Sequence, residues 1–71
     1  MAQSVYKVVT LVGSSSESWE KAATVAIEQA AKSLRDLRVA RVTEHDITIV
    51  DGKPSMFRVK VEVGFKYEGS N

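Results

Sequence analysis

The chain has 71 residues, with ten Lys or Arg against nine Asp or Glu, one His and no Cys. That length is used up by one domain, 1–71, and a net charge of +1 is not the clustered basic excess that nucleic-acid binding needs. No apolar run approaches the ~20 residues of a membrane span, so neither nucleic acid nor a membrane is expected as a partner, and the cytoplasm is the expected compartment.

After Met1-Ala2-Gln3-Ser4 the chain goes straight into a strand-like pattern, and no secretory leader is expected there. The segment Val5-Tyr6-Lys7-Val8-Val9-Thr10-Leu11-Val12 is rich in β-branched residues and predicts a strand ending at Gly13. One face would carry Tyr6, Val8, Thr10 and Val12, the other Val5, Lys7, Val9 and Leu11. Both faces are mostly apolar, unlike a sheet with one face in water. One helix covers one face, so the second face calls for another subunit.

Gly13 and three serines lead into a helix. Ser14 with Glu17 fits a capping box, with Ser15 and Ser16 as alternative caps. Trp19, Ala23, Ala26, Ile27, Ala30, Leu34 and Leu37 fall at spacings that mark one apolar stripe, extending the predicted helix to the Leu37 region. Alanine is abundant on that stripe, which lets the helix lie close to a sheet. Glu17 with Lys21 and Glu28 with Lys32 have the spacing of helical ion pairs. Arg35 and Arg38 are placed near the C-terminal end, where cations are favoured.

From Val39 to Val50 the pattern is again that of a strand, interrupted by the polar Thr43-Glu44-His45-Asp46, where a bulge or exposed patch is expected. Asp51-Gly52 is a turn signal. The last strand alternates: Phe57, Val59, Val61, Val63, Phe65 and Tyr67 on one side, Arg58, Lys60, Glu62, Gly64, Lys66 and Glu68 on the other. The expected order is β-α-β-β, an α+β fold with one long amphipathic helix packed on a three-stranded antiparallel sheet. Pro54 is expected to keep the Asp51-Gly52 loop short and stiff, and the third strand, long and Pro-free, suits the central place. The tail Gly69-Ser70-Asn71 is expected to be loose.

A chain this short buries only about 60% of its unfolded surface, and small domains add disulfides, a metal or oligomerisation. Without Cys there is neither disulfide nor thiolate cage, and His45 alone builds no histidine metal site. Oligomerisation is the remaining staple.

Catalytic constellations are sparse. Ser14, Ser15 and Ser16 read as cap and turn residues. His45 and Asp46 are neighbours in a strand and point to opposite faces, so they do not form an orienting pair, and His45 reads as a solvent-facing strand histidine. Gly13 with its serines lacks the Lys-Ser/Thr half of a phosphate loop. Trp19 reads as a core or staple tryptophan of the first helical turn. No enzyme is expected.

Val5-Tyr6-Lys7-Val8, Leu11-Val12-Gly13-Ser14-Ser15 and Ser18-Trp19-Glu20-Lys21-Ala22-Ala23 resemble, in this order, the start of the dodecins. Ala30-Ala31-Lys32-Ser33-Leu34-Arg35-Asp36-Leu37 and Val61-Glu62-Val63-Gly64-Phe65-Lys66 extend the resemblance to nearly the whole chain. It implies a hollow homododecamer built from trimers and holding a small-molecule ligand, with flavin (riboflavin, FMN or FAD) as the family default. In flavin-binding dodecins a tryptophan after the helix stacks on the isoalloxazine and a glutamine of the last strand bonds its edge. Those positions fall here on Val39 and Arg58. Asp46 stands where a basic residue is frequent, and Lys66 keeps a positive charge near the end of the last strand. The flavin-pocket positions implied by the resemblance are thus Val39, Arg58, Asp46 and Lys66. Ring stacking contributes roughly 1–3 kcal/mol by analogy with nucleic-acid platforms, so flavin binding without it is expected to be weak or absent.

Arg38-Val39-Ala40-Arg41-Val42 also resembles a dodecin subgroup that lacks the stacking tryptophan and is linked to calcium. Hard cations take several oxygen ligands. Glu44, Asp46, Asp51 and Glu62 are available, but their spacing within one chain forms no loop site and singles out no ligand set.

Overall fold

The structure is a computed structural model and describes residues 4–67. The expectations for residues 1–3, for Glu68 and for the 69–71 tail lie outside the described residues. In chain order the elements are β1 (Tyr6–Ser15), α1 (Trp19–Ala31), β2 (Leu37–Val50) and β3 (Lys53–Lys66). The sheet order is β1-β3-β2, with both neighbouring pairs antiparallel. The expected α+β arrangement, with the last strand central, is the one observed.

The alternation of β3 decides where the core sits. Val59, Val61 and Val63 face α1 and are at most 2% exposed. Against them pack Ala22 and Ala26, with Val9, Leu11, Trp19, Ala23 and Leu37 around the margin. Each fully buried valine contributes on the order of 1.5–3 kcal/mol. The helix approaches closely because its buried row is Ala22, Ala26 and Ala30. The expected stripe omitted Ala22, the most deeply buried residue of the row. Its partner is Gly13, which does not end the first strand but sits within it: a Cβ there would meet the Ala22 carbonyl oxygen and lie 2.9 Å from Ala26 Cβ. The strand runs on to Ser15.

The helix is shorter at both ends than expected, starting later than the capping box implied and ending earlier than the stripe implied. Ser14 is a strand residue paired with Arg58, and the N-cap is Ser18, whose Oγ accepts from the Lys21 N–H at 2.9 Å. Ser15 Oγ accepts from the Glu17 N–H at 2.9 Å and shapes the turn before the cap. Glu17 therefore precedes the helix, and the expected pair with Lys21 is not an intrahelical one. At the other end Lys32 is the C-cap. The Leu34 N–H closes back on the Ala30 carbonyl, and Asp36 turns the chain at φ 58°. Leu37 is then the first residue of β2 rather than the last of the helix. Arg35 and Arg38 lie beyond the helix end, and Arg38 lies 3.8 Å from Asp36.

Asp51 and Gly52 both take positive φ, 52° and 75°, the geometry of a tight primed hairpin turn. Pro54 lies inside β3, opposite Ile49. It is tolerated there because β1 pairs with β3 only from Phe57 onward, so the proline flank has no second neighbour to bond. The β2–β3 hairpin consequently projects past β1, and the molecule measures 53 × 20 × 16 Å.

Candidate functional site

With α1 on one face of the sheet, the other face is bare, and strand alternation determines what it shows. β1 contributes Tyr6, Val8, Thr10, Val12 and Ser14, opposite Lys66, Gly64, Glu62, Lys60 and Arg58 of β3. From β2 come Val39 opposite Gly64, Arg41 opposite Glu62, Glu44 opposite Lys60 and Asp46 opposite Arg58. A register shift between Val42 and Glu44 keeps this set on one face, realising the bulge expected in the polar middle of the strand. The apolar side chains of β1 are well exposed: Val8 57%, Val12 61%. Val39, on the far strand, is 64% exposed.

At one end of this face, Tyr6, Val8, Val39, Arg41, Glu62 and Gly64 line an open hollow of 340 Å³, within the range of small-molecule sites, about 300–1,000 Å³. Gly64 keeps it open, since a Cβ on Gly64 would have only the Val39 carbonyl oxygen within reach, at 3.8 Å. Val39 is the wall of this hollow. Tyr6, Arg41 and Gly64 were not singled out as site residues. The signal was present in the alternation of β3, but finding them needed the register that sets Arg41 against Glu62 and Val39 against Gly64.

At the other end, Arg58 and Asp46 form a two-point ion pair. Arg58 Nε donates to Asp46 Oδ1 at 2.8 Å and Arg58 Nη2 to Oδ2 at 2.9 Å. The hydrogen bond from Arg58 holds the Asp46 carboxyl below its ordinary value, desolvation opposes it, and the Arg58 and His45 charges add smaller effects in the same sense as the bond. The same bond raises the pKa of Arg58. Asp46 is also anchored through its backbone, where its carbonyl accepts from Trp19 Nε1 at 3.1 Å. A second cross-strand pair, Lys60 with Glu44, is looser at 3.9 Å.

Arg58 and Lys66 lie on the same strand, and at about 3.4 Å per residue they are roughly 27 Å apart. One chain thus brings Arg58 and Asp46 into contact and sets Val39 and Lys66 toward the other end of the face. Lys66 is half-buried opposite Tyr6. The carboxylates considered for a cation do not gather either: among the described residues no three His, Cys, Asp or Glu side chains come together as a metal cluster.

Trp19 lies on the helix side, with ring centroids 4.9 Å from His45 and 5.2 Å from Phe57, edge-on to the latter. It packs at the margin of the core, the first of the two roles expected for it. His45 and Asp46 do point to opposite faces, and His45 is exposed, as expected, with its ring beside that of Trp19.

The single-helix chain thus leaves a bare, mixed-charge sheet face with an apolar hollow at one end. The Dodecin family model matches residues 5–68. The "Calcium dodecin" of Mycobacterium tuberculosis is 46% identical over 63 residues, covering 89% of each chain. The "Dodecin" of Thermus thermophilus is 42% identical over 64 residues, covering 90% of this chain and 93% of that one. The solved dodecin from Streptomyces coelicolor superposes with a TM-score of 0.89 at 31% identity, over 99% of this chain and 100% of that one. The chain belongs to the dodecin family. No described helix is long and apolar enough to cross a membrane.

Proposed function

We propose that this protein is a non-enzymatic binding and storage dodecin of the cytoplasm, a homododecamer that holds a small ligand on its helix-free sheet face and takes flavin only weakly. The observation that carries this reading is the open hollow walled by Tyr6, Val8 and Val39. Its size and apolar wall suit a flat ring system, yet Val39 offers dispersion contact and no stacking ring. Val39, Asp46, Arg58 and Lys66 are the residues through which copies of the chain would contact such a ligand. Titration of riboflavin, FMN and FAD followed by flavin fluorescence tests it. Weak quenching in the wild type and a strong gain in Val39→Trp are expected, the gain being on the order of ten- to a hundredfold for one restored stacking contact. No quenching at tens of micromolar ligand in either protein removes flavin from the reading.

A second reading, a shell that binds calcium in place of flavin, is favoured by the 46% identity to a relative named "Calcium dodecin". Its ligands would come from Glu44, Asp46, Asp51 or Glu62 of symmetry-related copies, since one chain does not gather them. Calorimetry with calcium on the wild type, Asp46→Ala and Glu62→Ala tests it. Heat that falls in a variant supports the site; no heat, or equal heat in all three, rejects it.

A further inference from the structure

Two guanidinium groups, Arg41 and Arg58, stand on the helix-free face, and at Arg58 the planar fork that matches a carboxylate or phosphate at two points has an internal partner. In this protein that fork is filled from within. Both its Nε and its Nη2 are spent on the two Asp46 oxygens at 2.8 and 2.9 Å. The carboxylate is also not free to swing aside with its backbone, because Trp19 holds the Asp46 carbonyl from the opposite side of the sheet. Asp46 is therefore fixed at both ends, by a helix residue behind and by the guanidinium in front. The remaining charges nearby, Glu44 and Lys60, are paired with each other across the strands at 3.9 Å. Around Arg58 the face is thus neutralised locally. An anionic group arriving there finds the Nε/Nη2 edge of the guanidinium occupied and a carboxylate beside it that repels it.

We infer that Asp46 determines ligand specificity at this end of the face by occupying the Nε/Nη2 edge of Arg58, so that this end discriminates against phosphate esters in favour of ligands without a negative group. This rests on the reading that the helix-free face holds a small ligand, but the inorganic phosphate arm below tests it separately. A carboxylate at this position costs little to the fold, being exposed, and so acts as an internal competitor for the guanidinium rather than as a core residue.

The test uses the assembled full chain as wild type, Asp46→Asn and Asp46→Asn/Arg58→Gln, each checked for unchanged particle size. Riboflavin and FMN differ by one phosphate ester and are titrated by flavin fluorescence. The FMN-to-riboflavin affinity ratio is expected to rise roughly tenfold in Asp46→Asn, the size of one charge-assisted hydrogen bond gained, and to fall back in the double variant. In parallel, inorganic phosphate is added while the Arg58 Nε–H resonance is followed by NMR. A phosphate-dependent shift is expected in Asp46→Asn and none in the wild type at the same concentration. An unchanged ratio in Asp46→Asn, or an equal phosphate shift in wild type and variant, overturns the inference while leaving ligand binding on this face intact. If neither flavin binds any of the proteins, the flavin reading fails, and the phosphate response of Arg58 alone decides for or against Asp46.

Discussion

Gly13 is the residue on which the helix–sheet distance turns. A methyl group there would run into the Ala22 carbonyl oxygen and the Ala26 side chain, and both are backbone or β-carbon atoms that cannot swing away. Gly13→Ala is expected to destabilise the chain by roughly 1–3 kcal/mol, as overpacking does; urea denaturation at fixed protein concentration measures it. The Asp46–Arg58 pair is legible in a different quantity. Asp46 has a folded-state pKa lowered from its ordinary 3.8, chiefly by the Arg58 hydrogen bond. The pair's contribution is therefore present above that ordinary value and is lost as the pH falls through the lower, folded one. A carboxyl-carbon NMR titration of Asp46 should show a midpoint below 3.8 that moves up in Arg58→Gln. An unmoved midpoint would mean that the bond does not persist in solution. Sequence alone named both residues through the family resemblance, but not their contact. That contact depends on cross-strand register, and bulges on β2 make register unreadable by counting along the chain.

At the scale of elements, type and order were legible because the strongest patterns coincide with them: the period of two on β3, the alanine-rich helix and the Asp51-Gly52 turn. Boundaries were less so. Ser14, Ser15 and Ser16 were the candidate caps, and the real one, Ser18, was passed over, because local chemistry does not choose among serines so close together. Pairing with β3 makes the choice, since Ser14 and Ser15 are bound into the sheet opposite Arg58 and Phe57. Ser18→Ala should then cost about 1 kcal/mol, the usual worth of an N-cap, whereas Ser14→Ala should leave the helix unaffected. Thermal unfolding of the two variants compares them, and a larger loss in Ser14→Ala would contradict the assignment. Leu34 and Leu37 continued the apolar spacing past the real helix end: Leu34 is half-buried in the turn and Leu37 packs at the core margin; Asp36, at positive φ, carries the reversal.

At the scale of the whole molecule, the single chain is incomplete. Val5, Tyr6, Val8 and Val12 of the first segment, and Ile49 and Val50 on the overhanging hairpin, are 48–70% exposed. So many exposed large apolar side chains suit burial against other copies, and the apolar second face of β1 had already called for another subunit. The core of six small side chains supplies limited stability by itself. Val8→Asp places a charge in the middle of that face and is expected to dissociate the assembly, visible as a fall in particle mass by light scattering. The same dependence makes the most direct test of the account simple. Native mass spectrometry of the purified full chain should give one dominant species, a homododecamer, and a stable monomer as the main species would contradict it.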